Sequence, residues 1–129
     1  MQKIDVVRES ELKGGTSTRG ITRDKAFESD RIFFSRSRVA GGVASDWHHH
    51  STRNLYGFVV SGRLRLEYGT EGEEVAHLET GDFFHIPPGL VHRDVNPDEK
   101  QEARIVSILL GKGPLVVDVK GPEGQREGY

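Results

Sequence analysis

Cysteine is absent from this chain of 129 residues, which removes disulfide frameworks, thiolate metal sites and cysteine nucleophiles together. The same absence makes the cytoplasm the expected location. Long apolar runs are also missing. The longest, Ile105 to Leu110, is broken by Ser107. It falls far short of the roughly 18 residues a membrane span needs, so no membrane partner is expected. The opening Met1-Gln2-Lys3-Ile4-Asp5 carries no apolar h-region, and no secretory leader is expected. Neither charge sign dominates: 18 Lys+Arg stand against 20 Asp+Glu, net −2, without the basic footprint of a nucleic-acid binder.

What is present points to sheet. Hydrophobic content is 34%, and Gly contributes 16 residues, which fits a small core wrapped in many turns better than a helical bundle. Apolar residues alternate over short windows. The spacing predicts strands over 32–39, 56–60, 63–68, 74–78, 83–86, 91–95 and 103–110, with a further one over 115–119. Ser61-Gly62 makes a hairpin corner, and Gly41-Gly42, Pro87-Pro88-Gly89 and Asn96-Pro97-Asp98 supply breaks. This is the pattern of an all-β sandwich or barrel of single-domain size. The expected organisation is an N-terminal arm over 1–30 with a short strand or one helical turn, a barrel over 31–120, and a loose tail over 121–129 rich in Gly and charge.

Three of the six histidines are consecutive: His48, His49 and His50. In an extended segment residues i and i+2 project from one face, roughly 7 Å apart. His48 and His50 can then aim two imidazoles at one point while His49 points away. A third ligand is expected from a neighbouring strand, and His92, set just after the rigid Pro87-Pro88-Gly89 turn, offers it.

At these residues the chain resembles the cupins. Gly42, His48, His50 and Gly62 are similar to the first cupin motif. Gly81, Pro87, Gly89, His92 and Asn96 match every fixed position of the second. The resemblance spans residues 42–96 and implies a double-stranded β-helix, or jelly-roll barrel, with a metal at its centre held by His48, His50 and His92. One departure matters. The family's first motif usually adds a glutamate ligand, and the corresponding position here is Leu55. The implied set is three neutral histidines, which leave a divalent ion its full charge and favour anionic, chelating partners. The expected cofactor is one divalent transition metal, Fe(II) first, with Zn, Mn, Ni or Cu as alternatives.

Further candidate residues surround this set. Asp94 lies two residues after His92 and would share its inward face as a ligand-orienting group, a base or a substitute carboxylate. His85 is a second catalytic candidate, although its strand parity is ambiguous. Arg36 and Arg38, ahead of Arg53 and Arg104, are candidates to bind an acidic group. Leu55 would form an apolar pocket wall, and Trp47 and Tyr56 would flank the cavity. His77 reads as surface, and Asp82 as a turn residue. The resulting functional expectation is a mononuclear metal-dependent oxygenase or oxidoreductase acting on a small anionic or chelating organic substrate. A non-catalytic ligand-binding protein and a sugar isomerase or epimerase, metal-free or metal-dependent, are the alternatives. A homodimer is expected because sheet edges need cover, with Ile4 to Val7 and Leu115 to Val119 as the segments exchanged or buried.

Overall fold

Ile32–Val39 shows how the barrel wall is made. Phe33, Ser35, Ser37 and Val39 are buried, while Ile32 and Phe34 are exposed and Arg36 and Arg38 half-buried, so every second side chain enters the interior. The same alternation holds in Ala103–Leu110, where Ala103, Ile105, Ser107 and Leu109 point inward. The computed structural model describes residues 2–15 and 17–122.

The strands in chain order are β1 (Lys13–Gly14), β2 (Ile21–Glu28), β3 (Ile32–Val39), β4 (His48–His49), β5 (Asn54–Ser61) and β6 (Arg63–Tyr68). They continue as β7 (Glu74–Glu79), β8 (Phe83–Ile86), β9 (His92–Val95), β10 (Ala103–Leu110) and β11 (Val117–Asp118). A single 3-10 turn, Glu9–Glu11, is the one helical element among the described residues. All pairings are antiparallel. One sheet has the order β1-β2-β3-β10-β5-β8 and the other β11-β4-β9-β6-β7. The all-β jelly-roll expectation is therefore met. Between the sheets lies a cluster that includes Phe33, Val59, Leu64, Leu66, Ile105 and Leu109. Leu64 and Leu109 are each 2% exposed, so each contributes about 1.5–3 kcal/mol of burial.

The turns explain two fixed motif positions. Gly62 turns β5 into β6 with φ +86°, and a Cβ there would stand 2.9 Å from the Ala103 Cα, so only glycine fits. Asn96 is 1% exposed and does structural work. Its Nδ2 donates to the Val39 and Gln101 carbonyls, and its Oδ1 accepts from the Asp98 amide, which pins the end of β9 to β3 and to the following turn.

Three expectations change here. Within the segment read as an arm, residues 21–28 form a full eight-residue strand paired along β3 from Ile21↔Val39 to Glu28↔Phe33. Its inward side holds Arg23 beside Ile21, and the register against β3 shifts between Lys25 and Phe27, so apolar alternation was absent. The Ile4 to Val7 segment has no strand, and of Leu115 to Val119 only Val117–Asp118 pairs, with β4. Of the expected tail over 121–129, residues 123–129 lie outside the described residues. Among the described residues no helix is long and apolar enough to cross a membrane.

Candidate metal centre

His48 and His92 face each other directly across the β4–β9 pair. His50 follows two residues after His48, past the end of β4, and the i/i+2 geometry brings both rings to the same side. The ring centroids are 4.4 Å apart for His48–His92, 5.1 Å for His50–His92 and 5.3 Å for His48–His50. One nitrogen from each ring lies within 4.8 Å of the others, and all three residues are buried.

The far side of each ring is fixed by a backbone carbonyl. His48 Nδ1 is 2.7 Å from the Asp46 oxygen, His50 Nδ1 is 2.8 Å from that of Leu115, and His92 Nδ1 is 2.9 Å from that of Leu90. A carbonyl only accepts, so each Nδ1 carries the hydrogen and each neutral ring presents its Nε2 lone pair to the cluster. The Pro87-Pro88-Gly89 turn aims the Leu90 carbonyl. The Leu115 carbonyl is placed by a loop that Ser51, Thr52 and Arg53 hold through the Pro114, Lys112 and Gly113 oxygens. Burial, the largest cause, and the neighbouring rings push His48 and His50 down from 6.5 to about 2, and burial also lowers His92. The rings are neutral, as ligands must be. His49 points away, and its Nδ1 accepts from the Ser51 amide.

Asp94 shares the inward side of β9 with His92. Its Oδ1 lies 3.5 Å from His48 Nε2 and 3.8 Å from His92 Nε2. With a neutral His48 this is no ion pair: two acceptors face each other, and both are buried without a hydrogen-bond partner among the described residues. A cation between them would satisfy both. Three imidazole nitrogens and a nearby carboxylate, with no sulfur, suit a divalent transition ion, so the residues present fit a metal.

The cluster lines a small cavity of about 30 Å³ between the sheets. Leu55, Leu64, Ile86 and Ile105 form its apolar wall, and Ser37, Ser107, Arg23 and Asp94 are polar. Leu55, at the position of the family's glutamate, is among the residues lining this cavity.

Other candidates lie elsewhere. Arg36 and Arg38 are on the outer face of β3, where Arg38 is joined to Asp24 (2.7 Å) and Arg36 to Glu9 (2.6 Å) and Asp24. The β3 parity, left open by the sequence, puts Ser35 and Ser37 inside instead. His85 is on the outer face of β8, stacked on Tyr56 with ring centroids 4.6 Å apart and 2.8 Å from Asn54 Oδ1. It cannot reach the cavity, because Ile86 takes the inward place. Trp47 lies outside the five-stranded sheet beneath the Arg93 guanidinium, since it alternates with the inward His48. Arg53 binds the Gly113 carbonyl and Arg104 pairs with Glu102. His77 is exposed, and Asp82 accepts from the Glu79 amide as a turn residue. The inward arginine is Arg23, which sequence reasoning missed. Its signal was indirect: Asp24, next to it, complements Arg36 and Arg38 across the strand pair.

The cupin domain family profile matches residues 35–109. No curated protein matches the chain. Among solved structures the chain is similar to an uncharacterised conserved protein with a double-stranded β-helix domain from Klebsiella pneumoniae, at 20% identity and TM-score 0.71, covering 90% of this chain and 97% of that one. It is similar to the polyketide cyclase RemF from Streptomyces resistomycificus at 16% identity and TM-score 0.74, over 98% and 94% of the two chains. It is also similar to KdgF from Halomonas sp. at 19% identity and TM-score 0.65, over 82% and 94%. Identities this low show a shared fold.

Proposed function

Because the chain belongs to the cupin family, we propose that it is a mononuclear metal-dependent enzyme, an oxygenase or related oxidoreductase, acting on a small anionic or chelating organic substrate. The observation that carries this reading is the convergence of three lone pairs, each ring held from behind by a carbonyl, on a cavity that also holds Asp94 Oδ1, which has no hydrogen-bond partner among the described residues. His48, His50 and His92 would hold one divalent transition ion, Fe(II) in this reading, with Zn, Mn, Ni or Cu as alternatives. When bound, the ion supplies Lewis acidity and, as Fe(II), redox chemistry with O₂.

The chain's own residues do the rest. Leu55, Leu64, Ile86 and Ile105 exclude water around the reacting group and strengthen every electrostatic contact there. Asp94 Oδ1 takes a proton from a hydroxyl or an acidic carbon of the substrate. It stands beside the His48–His92 edge, near the place where such a group would bind. The same carboxylate favours a second reading: a metal-dependent isomerase or cyclase that moves protons without O₂.

The proposed partners are the small substrate and a second copy of the chain, in a cytoplasmic setting. The outer face of the six-stranded sheet exposes Phe34, Tyr56 and, at 80%, Phe83. Val7 and Leu12 of the N-terminal segment cover part of it beside Phe34 and Val106. Just before them Ile4 is 90% and Val6 57% exposed, with apolar side chains suited to the open part of that face on a second copy.

Protein purified without added metal, analysed for elements, then loaded anaerobically with Fe(II) tests the reading. Oxygen uptake is then followed over a panel of diketones, thiols and phenolic acids. The proposal expects one ion per chain and uptake that His50→Ala abolishes. Substrate turnover without oxygen consumption favours the isomerase reading, and a chain that binds no metal overturns both.

A further inference from the structure

The sheet fixes two of the three histidines, since His48 and His92 face each other across the β4–β9 pair. His50 lies past the end of β4 and has no such support. Its ring is held by the loop that follows β10, where its Nδ1 donates to the Leu115 carbonyl at 2.8 Å. The next residue holds the neighbouring carbonyl of the same loop. Ser51 Oγ is 2.6 Å from the Pro114 oxygen and 2.6 Å from the His50 oxygen. A hydroxyl has one hydrogen to give. The His50 carbonyl already accepts from the Arg53 amide at 3.1 Å, so the hydrogen goes to Pro114. His50 and Ser51, adjacent in the chain, thus grip adjacent carbonyls.

Ser51 makes this contact from an unfavourable backbone. Its φ is +55°, and it is the one non-glycine residue with positive φ among the described residues. Glycine would take that conformation freely. A strained residue beside a ligand, held there with a side chain that glycine lacks, points to a task for the hydroxyl. The loop is shaped to receive it. Gly113, at φ +103°, has no side chain between the two stretches, and a Cβ there would stand 3.0 Å from Ser51 Oγ and 3.3 Å from Thr52 Oγ1. Thr52 Oγ1 donates to the Lys112 carbonyl, and Arg53 Nε to that of Gly113. Beyond the loop, β11 pairs with β4, and the Val119 amide donates to the Trp47 carbonyl at 2.9 Å. Residues 111–119 therefore form a strap laid along residues 47–53, the stretch that carries two of the three ligands.

We propose that Ser51 is a positioning residue for the metal ion: through the Pro114 carbonyl it locks the strap against His50, and the strap sets how tightly the third ligand binds. The inference rests on the metal-dependent reading above and deepens it by naming what regulates that site. Coupling of this kind is reciprocal, so a bound ion must also hold the strap closed.

Zn(II), which has no redox chemistry of its own, is the probe, and its affinity is measured by competition with a chelator. Ser51→Gly removes the hydroxyl and relieves the backbone. It should still bind one Zn(II) per chain, about 10–100-fold more weakly, the size expected when a group behind a ligand is lost. Hydrogen exchange at the Val119 amide gives the second readout, which a merely structural role would not move. Zn(II) slows it in the wild type and slows it less in Ser51→Gly. Thr52→Val loosens the same strap from a residue without the strained backbone, and it decides the matter should the first variant fold poorly. Its Zn(II) affinity falls several-fold. Unchanged affinity in both variants, or exchange at Val119 indifferent to Zn(II) in the wild type, overturns the proposal and leaves the metal reading intact. A wild type that takes up no Zn(II) sinks the metal reading and this inference with it.

Discussion

Asp94 Oδ1 lies 3.5 Å from Nε2 of His48, and both atoms are buried acceptors with no hydrogen-bond partner among the described residues. Two lone pairs held face to face in an apolar wall repel each other, and leaving both unsatisfied costs on the order of 1–3 kcal/mol apiece. The backbone holds them there nonetheless. Asp94 N is tied to Ser45 Oγ, and His48 Nδ1 to the Asp46 carbonyl. Such an arrangement is stabilised by whatever cation or proton enters between them, which links the fold's stability to the occupancy of its site.

Asp94→Asn tests which task the carboxylate has. The amide keeps the size of the side chain and can donate, but it cannot accept a proton. With three histidines in place, the variant should keep its metal, as measured by elemental analysis. Turnover should fall by about 10²–10⁴-fold if Asp94 Oδ1 carries the proton. Loss of the metal together with activity would make Asp94 a ligand instead.

The adjacent histidines give an internal control. His50→Ala removes an Nε2 that faces the cluster and should reduce bound metal from one ion per chain to almost none. His49→Ala removes a ring that accepts from the Ser51 amide on the other side and should leave metal content unchanged. Elemental analysis of the two proteins side by side checks this. Metal loss from both would mean that the segment acts as a whole, and not through ring direction.

The metal set was legible because it depends on local geometry alone. Two residues apart on an extended segment share a side, and a Pro-Pro-Gly turn leaves few ways to enter the next strand. The partners behind the rings were not legible, since the Leu115 carbonyl reaches His50 only after the chain has passed through β10 and folded back. Parity in β3 was undecidable for a physical reason. Phe34 with Arg36 and Arg38 made a mixed stripe, and Phe33 with Ser35, Ser37 and Val39 another, so neither looked like a core face. The interior is polar near the site, and the alternation rule fails where function places serines and an arginine inside. That exception also hid β2, whose inward Arg23 broke the apolar period.

Dimerisation through the outer face of the six-stranded sheet is checked by Phe83→Asp. Phe83 is 80% exposed on the edge strand β8, beside Phe58 at 4.6 Å between ring centroids. A charge there costs the single chain almost nothing but would be buried in a paired one. Wild-type protein should run as a dimer in light scattering and the variant as a monomer with unchanged melting behaviour. A monomeric wild type would remove the second copy from the proposed partners.

Acid should unfold the metal-free protein early, and the histidines set the direction. In the folded chain His48 and His50 are held down at about 2 and His92 is also lowered, chiefly by burial, whereas an unfolded histidine takes up its proton near 6.5. Above that value both states are neutral and the contribution is fully present. Below it the unfolded chain binds up to three more protons. Stability then falls by about 1.4 kcal/mol per pH unit for each histidine, or about 4 for the three, and continues to fall until the folded values are reached. For a domain with 5–15 kcal/mol in hand this is enough to bring unfolding within roughly one to four units below 6.5. Urea midpoints measured from pH 7.5 to 5 should decline with that slope, and His50→Gln should flatten it by about a third. Bound metal competes with protons for the same lone pairs, so the loaded protein should hold its midpoint to lower pH than the metal-free one. Superimposable curves for the two forms would show that no ion binds at these nitrogens.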